Sequence, residues 1–147
     1  MEQPPTTKAI EVRSTDVDAD GIVNNAVFYQ YCEQARLEHL ARFHIIEPGS
    51  DRGPRPRRFT IAGNSCRYLA PVHFRETVLV EVSTARIGRT SFTLAYRLLN
   101  EADGTLLAES ESTQVWLDED GRPAPFPPEV RVALEASSEE PADTASP

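Results

Sequence analysis

Three carboxylates at alternate positions followed by a glycine, Asp16, Asp18, Asp20 and Gly21, begin the stretch of this sequence best equipped for chemistry. Such spacing can serve calcium, which an EF-hand loop holds with oxygens at its first, third and fifth positions, glycine at the sixth and a bidentate glutamate at the twelfth. The twelfth position here is Val27, which cannot ligate, and the preceding Ala9 to Thr15 alternates like a strand instead of a helix. The same residues make a better strand-to-helix junction. Gly21 permits a tight turn, and the first helical turn, near Asn24 to Val27, presents unpaired N–H groups with partial positive charge. A carboxylate just upstream is then a base or nucleophile beside donors for a developing oxyanion, the two parts that acyl hydrolysis needs.

The remaining reactive residues form no competing set. His39, His44 and His73 lack zinc-ligand spacing, and no metal or cofactor is expected. Cys32 and Cys66 form no C-x-x-C and read as reduced, buried small hydrophobes. Ser65 and Ser91 sit in no G-x-S-x-G elbow. A net charge of -8 argues against nucleic-acid binding. One basic cluster, Arg52, Arg55, Arg57, Arg58 and Arg67, is opposed only by Asp51 and suits either an anionic ligand or a solvated loop. There is no apolar run of membrane-spanning length, and the opening MEQPPTTK carries no signal-peptide pattern, so a cytoplasmic protein is expected.

Around these residues, the longest stretch free of Gly and Pro runs from Ile22 to Glu47. With Asn24 or Asn25 as cap, it predicts a helix over roughly Asn25 to Phe43. Ala26 to Tyr31 is apolar nearly all round and is expected to be buried; the far end, around Glu38, His39 and Arg42, is expected to reach solvent. Alternation predicts strands over Ala9–Ser14, from Phe59 towards Leu69, through Val78, Val80 and Val82, through Phe92 to Leu98, and over Thr105–Leu117. Turns fall at Asn100–Gly104 and Asp118–Pro123, and a short helix is expected from Pro127-Pro128 through Leu134. Residues 1–135 form one domain, and the acidic segment 136–147 is expected to be disordered. Helix and strands are segregated, so the class is α+β, with one antiparallel sheet curled around one helix.

The segment DVDADGIVNNAVFYQYCEQAR, residues 16–36, resembles the signature of the hot-dog-fold acyl-CoA thioesterases, in their 4-hydroxybenzoyl-CoA thioesterase-like branch. The likeness extends to CRYLAPVHFRETVLVEV, with Tyr68, Pro71, Phe74 and Glu76, and to RIGRTSFTLAY, with Arg86, Gly88, Arg89, Thr90, Ser91 and Phe92. It covers about residues 9–117. The resemblance implies a hot-dog fold of about five strands around one long central helix. It also implies hydrolysis of an acyl-CoA or acyl carrier protein thioester, and a homodimer or homotetramer. It puts the family's catalytic carboxylate on Asp18, with the backbone N–H of Asn25 in the oxyanion hole, and substrate contacts on Gly21, Tyr29, Arg86, Arg89, Thr90 and Ser91. Two positions depart from the pattern: Ile22 stands where many relatives carry His, and Arg75-Glu76 where Gly-Asp is common.

By residue type alone Asp18 is a loop acid, Asp16 ties down a turn, Asp20 is solvated, and Tyr29 and Tyr31 are core aromatics. Arg36, on the long helix, calls for a partner such as Glu33 or a strand acid. Two other functions fit the same fold: a dehydratase or hydratase, which pairs a His with an acid, and a non-catalytic acyl-binding subunit. No His lies near Asp18 in the sequence.

Overall fold

The side chain of Asn24 accepts the N–H of Ala26 at 2.9 Å and so starts the long helix, α1 (Asn25–Arg42). This computed structural model describes residues 3–46 and 59–138. Before α1 come β1 (Thr6–Glu11) and a single 3₁₀ turn, Ser14–Asp16; after it come β2 (Phe59–Tyr68), β3 (Thr77–Ile87), β4 (Ser91–Asn100), β5 (Leu106–Trp116) and α2 (Pro128–Ser137). The five strands form one antiparallel sheet in the order β1-β3-β4-β5-β2. The helix–sheet arrangement is the hot-dog fold expected from the sequence.

Alternation explains the core. Val78, Val80 and Val82 of β3 and Phe92, Leu94, Tyr96 and Leu98 of β4 are buried, beneath Phe28, Tyr31, Cys32, Ala35 and Leu40 of α1. The same period on β5 buries Ser110, Ser112 and Gln114, so part of the floor under the helix is polar. Phe126 packs against Phe92 and Trp116 and closes one end of the sheet below α2.

Five expectations need correction. β1 begins at Thr6, ahead of Ala9, and ends at Glu11. The start of α1 is not buried all round: Ala26 is exposed and Val27 and Tyr29 are half-buried, because α1 lies mainly over β1 and β3 and touches β2 through Tyr68. His39 does not reach solvent. It is 1% exposed, with Nδ1 2.7 Å from Thr6 Oγ1 and Nε2 2.9 Å from Thr84 Oγ1. Cys66 is half-buried, whereas Cys32 is buried. Of the basic cluster, Arg52, Arg55, Arg57 and Arg58 lie outside the described residues, while Arg67 is exposed and meets Glu109 at 3.3 Å. Helix α2 runs on through Ser137, and residues 139–147 also lie outside the described part.

Candidate active site

Asp18 governs the turn into α1. Its Oδ1 accepts the N–H groups of Asp20 at 2.9 Å and Ile22 at 3.3 Å, and its carbonyl accepts that of Gly21 at 3.0 Å. Gly21 takes the left-handed φ of 78° that closes this turn. An internal control shows how much of this is local. Asp118 accepts from Asp120 and Arg122, each at 2.9 Å, and Gly121 has φ 79°. The turn is therefore what Asp-x-Asp-Gly dictates anywhere. What sets Asp18 apart is its position. Val23 donates to the carbonyl of Val72 and Asn24 to that of Asp16, which anchors the turn at the N-terminal end of α1.

The N–H groups of the first helical turn can be followed one by one. Asn24 N–H goes to Asp16 O, Ala26 N–H to Asn24 Oδ1, and Val27 N–H to Asn24 O. The N–H of Asn25 has no protein acceptor among the described residues. It is a free donor at the positive end of a long helix. Beside it a groove of about 300 Å³ is lined by Ile22, Val23, Asn25, Phe28, Tyr68, Leu69, Ala70 and Pro71. Tyr68 forms its far wall: its hydroxyl donates to the carbonyl of Asn25 at 3.0 Å, and its ring meets Phe28 edge-on at 5.2 Å.

Asp16 faces inward, away from this groove. It is 2% exposed and accepts the Arg13 N–H at 2.9 Å, Arg13 Nη2 at 3.0 Å and the Tyr31 hydroxyl at 2.8 Å. Burial opposes its charge, yet Arg13 and Tyr31 together hold the carboxyl below its ordinary value. Burial first, and then Asp16, push the Tyr31 phenol well up. The carboxylates of Asp16 and Asp18 thus serve different partners and do not converge.

The other predicted contacts lie elsewhere. Arg86, Arg89, Thr90 and Ser91 belong to the β3–β4 hairpin, where Gly88 N–H donates to Ser91 O at 2.7 Å and Trp116 N–H to Thr90 O at 2.7 Å. Arg86 pairs with Glu111 at 3.2 Å and Arg89 is exposed. The Asp18 turn docks instead at the Thr77 end of β3, through Val12 N–H to Glu76 O and an Ile22–His73 bridge. From Thr77 to Ile87, β3 is roughly 33 Å long at ~3.3 Å per residue. Within one chain the two groups stand at opposite ends of the sheet. Tyr29 is half-buried near the Asp18 end.

Two further residues neighbour the Asp18 turn, and sequence reasoning gave neither a role in the site. His73, distant in sequence, is brought opposite Ile22, with Nδ1 3.2 Å from Glu76 Oε1. Arg75 adopts φ 75°, the conformation natural to the glycine of the common pattern, with its guanidinium 5.2 Å over Phe74. The Arg75-Glu76 departure flagged the position; nothing local flagged His73.

With this geometry in hand, comparison with known proteins decides the family. Residues 12–134 match the thioesterase-like superfamily. The chain belongs to that family. The crystal structure of a thioesterase from Thermus thermophilus, complexed with coenzyme A and zinc, is 34% identical to this thioesterase-like chain. It superposes with a TM-score of 0.79 over 96% of this chain and 99% of its own. The acyl-acyl carrier protein thioesterase ATL3 of Arabidopsis thaliana is 30% identical over 83% of this chain, which spans 63% of that protein's length. The acyl-CoA thioester hydrolase YbgC of Escherichia coli is 28% identical over 74% of this chain and 79% of its own. Thioester hydrolysis is the chemistry these relatives share. No helix among the described residues is long and apolar enough to cross a membrane.

Proposed function

We propose that this chain hydrolyses an acyl-CoA thioester to free acid and thiol, with Asp18 as nucleophile or general base and the Asn25 N–H polarising the carbonyl. The observation that carries this is the unbonded N–H of Asn25 beside a groove, with the Asp18 turn against the same helix end. Asp18 Oδ1 is held by two backbone N–H groups, which fixes the carboxylate and leaves Oδ2 to act. The dipole of an 18-residue helix favours negative charge developing at that end. The coenzyme A in the Thermus relative and the substrate in the YbgC name support coenzyme A as carrier. The ATL3 name supports acyl carrier protein as the second candidate.

A thiol-release assay over acyl-CoAs of graded chain length, with acyl carrier thioesters alongside, tests the reading. Asp18→Asn keeps the turn's acceptor and removes the charge, so kcat falls by at least roughly 10²-fold with KM little changed. Hydrolysis by Asp18→Asn at near the parent rate refutes the mechanism. His73 is the histidine that a dehydratase would need near Asp18, so His73→Ala tests that alternative; under the proposed chemistry it changes kcat less than about threefold.

A further inference from the structure

The proposed chemistry leaves unused a line of polar side chains that leads away from the groove beneath α1. Phe28, Cys32 and Arg36 follow one another at intervals of four and share one side of the helix. Tyr68, Cys66 and Asn64 alternate along β2 on the side facing α1, opposite Ala108, Ser110 and Ser112 of β5. The two lines meet first at the Phe28–Tyr68 contact that walls the groove. Next along β2, Cys66 stands opposite Ser110 of β5, whose hydroxyl donates to the carbonyl of Ser65 at 2.6 Å. Tyr68 and Asn64 are exposed and Cys66 is half-buried, so this side of β2 is accessible along its length.

At the end of the line stands Arg36. Its side chain is only 12% exposed, yet among the described residues it makes one hydrogen bond, from Nη1 to the Tyr96 hydroxyl at 3.3 Å. Glu33 supplies the ion pair expected from the sequence, but at 3.9 Å the pair is too long for a hydrogen bond, and Glu33 is itself 62% exposed. Tyr96 is committed to Ser112 at 2.6 Å, Ser112 donates to the side-chain Oε1 of Gln114, and Gln114 Nε2 donates to the backbone carbonyl of Phe92 at 3.0 Å. The floor therefore offers the guanidinium a single oxygen. Among the described residues no unpartnered side-chain nitrogen is fully buried, so the unused donors of Arg36 keep an opening to solvent and are free to meet another acceptor.

We infer that Arg36 is a specificity-determining residue that reads an oxygen function, hydroxyl or carboxylate, borne by the acyl group remote from the thioester. This rests on the thioesterase reading. The placement also sets a length. Long helical side chains lean towards the N-terminus, so the Arg36 guanidinium belongs over the turn that begins at Cys32, one turn back. From Asn25 to Cys32 is about 10 Å at ~1.5 Å per residue. An extended chain advances about 1.2 Å per bond, so the oxygen belongs roughly eight bonds from the carbonyl carbon. A purely aliphatic chain reaching that depth would bury methylene groups against Arg36, Ser110 and Ser112.

The test compares kcat/KM for octanoyl-CoA, 8-hydroxyoctanoyl-CoA and the CoA monothioester of octanedioic acid, with butyryl- and benzoyl-CoA as shorter references. The expected result is a preference of roughly 10- to 100-fold for one or both oxygenated thioesters over octanoyl-CoA. A leading hydroxyl arm identifies a neutral terminus, and a leading carboxylate arm an anionic one. Arg36→Met should abolish the gap while retaining octanoyl-CoA hydrolysis. Equal rates, a preference for octanoyl-CoA, or a gap that survives in Arg36→Met would overturn the inference while leaving thioesterase activity standing. If none of the five thioesters is hydrolysed while other acyl-CoAs or acyl carrier thioesters are, the inference is wrong and the thioesterase reading stands; if no thioester of either carrier is hydrolysed, both fall. Should Arg36→Met not fold, the ranking by the unmodified protein decides alone.

Discussion

Asp18 and Asp118 each accept two backbone N–H groups through one carboxylate oxygen, in turns closed by glycines of nearly equal φ. The repetition separates what an aspartate does for the backbone from what it can do for a substrate. An amide oxygen can replace the accepting carboxylate oxygen, so Asp18→Asn and Asp118→Asn should both keep their turns, with thermal midpoints close to the parent's. Only Asp18→Asn should lose turnover, by at least roughly 10²-fold, because only the Asp18 turn leads into the helix end that carries the free N–H of Asn25. Parallel melting curves and thiol-release rates for the two variants check this. Equal losses of activity would reduce Asp18 to a turn residue. Residue types alone left the choice of carboxylate open; the family resemblance put the role on Asp18. What separates its surroundings from those of Asp16 is pairing across the chain, since Asp16 is claimed by Arg13 and by Tyr31 on the helix.

At the scale of elements, much was legible because the signals are local. Asn24 caps α1 as its type suggests, and the alternations at Val78 to Val82 and Phe92 to Leu98 bury the expected sides. What was not legible depends on which elements meet. His39 looked like part of a solvated helix end, but β1 brings Thr6 and β3 brings Thr84 to its two ring nitrogens, and Ser137 of α2 lies 2.7 Å from Thr84. The hydroxyl of Ser137 donates to Leu134 O, which orients Thr84 to donate to Ser137 and to accept from His39 Nε2. Arg42 donates to Thr6 from the other side, so a neutral His39 with Nδ1 as acceptor completes the chain. Burial first, and then Arg42, push the His39 pKa down to about 4. Because the folded value lies below the unfolded value of about 6.5, the stabilisation is complete above pH 6.5 and is lost as pH falls towards 4. The loss should approach about 3 kcal/mol across that window. Denaturant unfolding from pH 7 to pH 4.5 checks it: His39→Gln, which does not titrate, should lack this part of the slope. A second element-level prediction concerns the β2–β3 connection, where Arg75 holds a glycine-like φ of 75°. Arg75→Gly should stabilise the fold by about 0.5–1 kcal/mol, the left-handed strain relieved less the entropy glycine adds to the unfolded chain. A lowered midpoint of unfolding would mean that the stacking on Phe74 outweighs the strain.

At the scale of the whole molecule, the separation of Asp18 from Arg86 and Arg89 asks for a second chain. The strand order leaves β1 and β2 as sheet edges, and β2 also keeps Asn64 and Tyr68 exposed on the side facing α1. An open edge with an uncovered face favours pairing, and the closed solution for identical chains is a two-fold. Antiparallel pairing of β2 with its two-fold copy sets the Tyr68 end of one strand against the Phe59 end of the other. The Phe59 end lies opposite Trp116, whose N–H bonds Thr90, so the partner's hairpin, with Arg89, would arrive beside the Asp18 turn. Each site would then take its carboxylate from one protomer and its phosphate-binding arginines from the other. Light scattering should give a dimer or a multiple of it, and Arg89→Ala should raise KM for acyl-CoA more than for a short pantetheine thioester. Mixing supplies the sharper measurement. Asp18→Asn and Arg89→Ala proteins, each deficient at low acyl-CoA, should regain about a quarter of the parent activity after subunit exchange, since half the dimers become mixed and each mixed dimer holds one intact site. If both residues served a site within one chain, every site would keep one lesion and mixing would restore nothing, which would refute the shared site.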